Sequence, residues 1–111
     1  FQNALAYAQD RIQSQPVDAK KGESRSVAII SHPDVRRELL SIKSTVEAER
    51  MLTYWVAMQL DISKAHPDET VRKQAKDLVD LLTPVVKAHL TDNAELNTSS
   101  AIQVFGGHGF I

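Results

Sequence analysis

The chain contains no cysteine. That excludes disulfides and thiol catalysis, and it leaves a reducing, cytoplasmic setting as the expectation. No apolar run approaches the ~18 residues that a membrane-spanning helix needs. Neither charge sign dominates: 13 Lys and Arg are interspersed with 14 Asp and Glu, for a formal net charge of −1. Such a balance offers no nucleic-acid surface and no polybasic membrane anchor. No leader peptide is recognisable, although Phe1 instead of Met opens the sequence and implies that something preceded it. Repeats and low-complexity tracts are also missing. The histidines, at 32, 66, 89 and 108, are never four residues apart, so no helical metal pair exists. No carboxylate pair stands out as acid/base equipment, and the serines lie mostly in one loop or on helix faces, which argues against a nucleophilic triad. The residues alone supply no complete active site.

What remains is a chain with helical patterning. A length of 111 residues with 42% hydrophobic content suits one domain, 1–111, with one core. A domain of that size buries roughly 65% of the surface of its unfolded chain. Phe1, Leu5, Ala8 and Ile12 recur at helical steps and predict a helix over about 1–12. Residues 13–31 read as a loop, broken by Pro16 and Gly22 and wetted by Asp18, Lys20, Lys21, Glu23 and Arg25. A loop this long is either functional or a tolerated insertion. Val27 to Ile30 within it is an apolar patch, read as a segment laid across the helices or as a lone strand without a partner.

Ser31 or His32, followed by Pro33 and Asp34, has the chemistry of a helix start and opens a helix over 33–64. Its main apolar row is Leu40, Ala48, Met51, Trp55, Met58 and Ile62, with the small Ser44 among them. Leu39, Ile42, Val46, Leu52, Val56 and Leu60 widen the stripe, which predicts a helix buried between neighbours. Alternatively, the stripe around Met51, Trp55 and Met58 is a dimer seam. Pro67-Asp68-Glu69 opens a further helix over 67–82. At Thr83-Pro84 either a break, with Thr83 capping a fresh helix over 84–105, or a kink in one helix satisfies the sequence; the break is the expectation.

The segment then closes on Gln103-Val104-Phe105-Gly106-Gly107-His108-Gly109-Phe110. Gly106 and Gly107 read as a left-handed helix stop. Three glycines in four positions also strip the backbone of side chains, so a ligand or another chain can come close.

These last residues resemble the segment that closes the penultimate helix of the acyl-CoA dehydrogenase C-terminal helical domain. Lys87, sixteen residues before Gln103, matches a lysine in several members. Ala4 to Arg11 is similar to the first helix of that domain, and Ser31 to Leu40 to the start of the second. The resemblance implies an all-α, antiparallel up-and-down helical bundle from an FAD-dependent enzyme that oxidises acyl-CoA thioesters and passes electrons to a flavoprotein. It implies a homo-oligomer, with FAD lying between a β-domain, this bundle and a neighbouring subunit. Gln103 and Gly107 match the glutamine and glycine that touch the ADP half of that FAD, with Gly106 beside them in the turn. Arg11 matches an arginine on the pyrophosphate side. Outward N–H groups of left-handed glycines, the Gln103 amide and the Arg11 guanidinium would suit such a ligand. The catalytic glutamate of most members falls beyond Ile111, so the chain by itself is expected to be inactive. Ser14 and Gln15 stand where many members have Phe-Gly, and Pro33 where many have glutamine, which marks a divergent branch. The rivals are a non-catalytic helical interaction module, an acyl-CoA oxidase and a DNA-damage-associated relative.

Overall fold

The computed structural model describes residues 1–111 and is all-α. Its helices are α1 (Gln2–Asp10), α2 (Pro33–Ala65) and α3 (Glu69–Phe105), with 3-10 turns at Ile29–Ser31 and Gly106–Gly109. No helix is long and apolar enough to cross a membrane. The chain falls into two compact units, Phe1–Ser44 with Leu96–Ile111, and Thr45–Glu95.

The first unit is built on α1. Ala4 and Ala8, one turn apart, are buried to 1% and 0% exposure. Small side chains at i and i+4 let a helix approach its neighbours closely, and here they meet Ile29, Leu39 and Val104. Leu39, almost fully buried, contributes about 1.5–3 kcal/mol by leaving water. The helix stops two residues short of the expected 12, because Arg11 turns extended and Ile12 is 62% exposed. The loop that follows is a clasp. Ile12 pairs with Ala28 in an antiparallel bridge, the Gln13 N–H donates to the Val27 carbonyl at 2.9 Å, and the Ile29 N–H donates to the Arg11 carbonyl at 2.8 Å. The apolar patch at 27–30 therefore has a partner, the residues 11–14 that follow α1, which satisfies backbone groups that a lone strand would leave orphaned. The His32 ring Nε2 lies 2.9 Å from the Gln13 carbonyl oxygen, and the His32 carbonyl accepts from the Arg36 N–H. His32 thus takes the cap position that opens α2.

In the second unit, the turn at 66–68 joins α2 to α3. Asp68 caps α3, its Oδ1 accepting from the Thr70 N–H at 2.7 Å and the Val71 N–H at 3.3 Å. Arg72 Nη1 donates to the carbonyls of His66 and Pro67 at 2.7 and 3.0 Å, which ties the turn to the first coil of α3. The expected break at Thr83-Pro84 does not form, and the continuous alternative holds: α3 runs through Pro84. Pro84 removes the donor that would have served the Asp80 carbonyl, but both residues are exposed, so water can take its place. The Thr83 hydroxyl, expected to cap, instead donates back to the Val79 carbonyl at 2.7 Å, inside the helix.

The stripe on α2 also sorts differently from the expectation. Leu39 and Ile42 are buried, and Val46, Leu52 and Val56 are half-buried. Most of the expected main row is open: Leu40 and Met51 are 66% and 67% exposed, Met58 49% and Trp55 42%, while Ile62 is half-buried. A helix apolar on two sides announces that both are to be covered, not which side this chain covers.

Candidate functional site

The residues assigned from the sequence lie at the two ends of the chain, and the first unit brings most of them to one place. Arg11 is the last residue tied to α1, its N–H donating to the Tyr7 carbonyl at 2.8 Å. Its own carbonyl is held by Ile29, so the backbone from which the guanidinium projects is fixed on both sides. The guanidinium makes one long contact, 3.4 Å from Nη2 to the Gln13 side-chain oxygen, and no ion pair. It carries a charge that no carboxylate of the chain neutralises.

Facing it is the end of α3. Gly106 turns the chain with φ +57, and residues 106–109 then tighten into a 3-10 turn. The three glycines serve different ends. Gly106 is required by its left-handed backbone. Gly109 is required by closeness, since a Cβ there would stand 2.6 Å from the Ile102 carbonyl oxygen. Gly107 has neither constraint: its φ is not positive, and a Cβ would meet nothing within 4 Å. The expectation of two left-handed glycines is thus corrected to one, because a single reversal suffices to pass from the α-helix to the tighter turn. The open space over Gly107 is room against the bare main chain.

Between the two ends lies a cleft of ≈ 180 Å³. Tyr7, Arg11 and Gln13 form one wall, Phe105 to His108 the other, and Ile29 and Val104 the remainder. Tyr7 spans it. Its ring lies 4.7 Å from the Phe105 ring, tilted by 45°, and meets the His108 ring edge-on at 5.8 Å. Its hydroxyl is 2.7 Å from His108 Nδ1. Arg11, Gly106 and Gly107 therefore converge, whereas Gln103 does not line the cleft: it is exposed on α3, one residue before the buried Val104. At about 100° per residue, its side chain leaves the helix in another direction. Tyr7 and His108 carried no site assignment from the sequence. The signal for Tyr7 was its spacing, four residues before Arg11 on one helical face.

The groups whose pKa moves lie elsewhere. Arg37 is raised, first by its hydrogen bond to Asp34 and then by that to Glu38. Lys76 is raised by its hydrogen bond to Asp80, one turn along α3. Both are exposed ion pairs on helix surfaces, the kind that adds little to stability.

The family model for the acyl-CoA dehydrogenase C-terminal domain matches residues 1–111. The chain belongs to the acyl-CoA dehydrogenase family. It is 41% identical over its whole length to a 3-methylmercaptopropionyl-CoA dehydrogenase of Ruegeria pomeroyi. It is 43% identical over 108 residues, 97% of the chain, to a butyryl-CoA dehydrogenase of Syntrophomonas wolfei. It is 34% identical over 113 aligned positions to a broad-specificity linear acyl-CoA dehydrogenase of Mycobacterium tuberculosis. The chain spans 17–18% of the length of these dehydrogenases. Its cleft is thus a feature of an acyl-CoA dehydrogenase helical domain, built from the first helix and the glycine turn.

Proposed function

We propose that this domain holds the diphosphate part of FAD in an acyl-CoA dehydrogenase, at the cleft where Arg11 faces the glycine turn. The observation that carries the reading is the meeting of an unneutralised guanidinium with the open backbone at Gly107, from opposite ends of the chain. A guanidinium fork suits phosphate oxygens, and charge-assisted hydrogen bonds are the strong ones. Size agrees. At ≈ 180 Å³ the cleft is below the roughly 300–1,000 Å³ of a pocket that encloses a whole ligand, so it suits part of a dinucleotide whose remainder is held by other surfaces. The end of α3 is the negative pole of that helix and repels an anion; Arg11 and backbone N–H groups of the turn offset that.

In this reading the parent enzyme performs α,β-dehydrogenation of an acyl-CoA thioester and passes electrons to a flavoprotein acceptor, in the cytoplasm and as a homo-oligomer. The chemistry supplied by bound FAD is hydride acceptance from the acyl chain. The residues of this chain bind and orient; none is a carboxylate placed in the cleft to remove a proton, and the chain alone is inactive. A contribution to assembly is favoured by a separate observation, the exposed face of Met51, Tyr54, Trp55 and Met58.

The test is FAD binding by the flavin-free parent protein, read by flavin fluorescence. Arg11→Gln is expected to weaken it at least tenfold, since a hydrogen bond to a charged group is worth about 1.5–3 kcal/mol. Wild-type affinity in that variant would refute the reading.

A further inference from the structure

We infer that His108 is a phosphate-binding residue and that Tyr7 is the residue that positions it. This rests on the reading above and adds to the cleft a second donor that no sequence match assigns. The argument begins with the 2.7 Å contact between the Tyr7 hydroxyl and His108 Nδ1. A neutral imidazole has one nitrogen that donates and one that accepts, and the bond made by one nitrogen sets the role of the other. A phenol is a better donor than acceptor, and an imidazole nitrogen is a strong acceptor. The Tyr7 hydroxyl has no other hydrogen-bond partner in the chain. Tyr7 therefore donates to Nδ1, and the ring proton resides on Nε2.

That nitrogen is free. His108 is exposed on the wall of the cleft, and Nε2 has no partner in the protein. Its neighbours Gly107 and Gly109 have no side chains to cover it. The opposite tautomer would present a lone pair to the anion that Arg11 attracts; this one presents an N–H. Tyr7 is itself held. Phe105 lies against its ring at 4.7 Å, and α1 fixes its backbone, whose Tyr7 carbonyl also accepts from the N–H of Arg11, the residue that caps the helix. The cleft thus offers a cation from one wall and a ring N–H from the other, with bare main chain between.

The parent protein freed of flavin tests this, with FAD as ligand and inorganic pyrophosphate as competitor. His108→Ala is expected to weaken FAD binding about tenfold, the loss of one hydrogen bond to a charged group. His108→Gln, which keeps an N–H donor, is expected to recover most of that. Tyr7→Phe is expected to lose several-fold, and Tyr7→Phe with His108→Ala to be no weaker than His108→Ala alone, because both act through one donor. Pyrophosphate is expected to compete more weakly in His108→Ala. A purely structural role for Tyr7 would give losses that add, and unchanged pyrophosphate competition in His108→Ala would remove His108 from the phosphate site. If Arg11→Gln weakens FAD binding while His108→Ala and His108→Gln both bind like wild type, the inference is wrong and the cleft assignment stands. If Arg11→Gln has no effect, the cleft assignment itself fails.

Discussion

A side-chain carbon on Gly109 would stand 2.6 Å from the carbonyl oxygen of Ile102, closer than atoms of this kind can approach. The obstacle is backbone inside the last coil of α3, so it cannot swing away as a flexible side chain would. Ile102 Cγ2 at 3.0 Å and Phe105 Cβ at 3.2 Å close the remaining sides. Gly109→Ala is therefore expected to destabilise the protein by about 1–3 kcal/mol, in the range of overpacked sites. Gly107→Ala, two residues away, meets nothing within 4 Å and is expected to leave the thermal midpoint within a degree or two. The same Gly107→Ala change is expected to weaken FAD binding by the parent, because the methyl occupies the open space of the cleft. Chemical denaturation and flavin titration of both variants check the pair; a Gly107→Ala variant that melts early but binds normally would reverse the assignment.

Ser14 is the only non-glycine residue with a positive φ, at 63. It sits where the chain leaves the clasp, its carbonyl accepting from the Val27 N–H at 3.1 Å. The left-handed region costs a residue with a Cβ about 1–2 kcal/mol. Glycine also loses more backbone freedom on folding, roughly 0.5–1 kcal/mol. The balance favours Ser14→Gly by a fraction of a kcal/mol to about 1 kcal/mol, visible as a small rise in the denaturation midpoint.

Pro84 tests the continuity of α3. In a helix interior, proline is about 3 kcal/mol less favourable than alanine. If α3 is one helix through this position, Pro84→Ala restores the N–H that serves the Asp80 carbonyl, and is expected to stabilise the protein by about 1–3 kcal/mol. A helix that restarted at Thr83 would gain nothing, since the first turn of a helix has no use for that donor. Equilibrium unfolding of the variant separates the two.

Thr83-Pro84 also shows where the sequence stopped being readable. The rules for proline are local, and they predict a break wherever a donor is lost. Whether the orphaned carbonyl finds water depends on which way it faces, and that depends on the whole fold. The face of α2 was ambiguous for a related reason. Leu39 and Leu40 are equally apolar neighbours, yet one is buried and the other 66% exposed, because only α1, Ile29 and Val104 decide which of them is covered. The site divides in the same manner. Arg11, Gln103 and Gly107 were assigned through the family resemblance, with Gly106 beside them in the turn. The fold gathers Arg11, Gly106 and Gly107 at one cleft and leaves Gln103 exposed outside its lining. The pairing of Tyr7 with His108 was hidden because their 2.7 Å contact spans 101 positions of sequence, which no local pattern reports.

Trp55 tests what the open face of α2 is for. Met51, Tyr54, Trp55 and Met58 follow the i, i+3, i+4, i+7 spacing of one helical face, and all four are exposed, by 67%, 67%, 42% and 49%. Four large apolar side chains in one stripe are more than the scattered exposure of an ordinary surface, and such patches mark contact sites. A tryptophan buried in its own core costs about 3–5 kcal/mol when cut back to alanine. At 42% exposure Trp55 has few of those contacts to lose, so Trp55→Ala is expected to change the stability of the chain by about 1 kcal/mol or less. Its effect is expected in the mass of the parent assembly, because aromatic side chains at the centre of an interface dominate its energy. Sedimentation of the variant at several concentrations, beside its denaturation curve, reads both quantities. A lower oligomer mass with an unmoved curve supports assembly through this face. An intact oligomer with a collapsed curve would instead return Trp55 to the core.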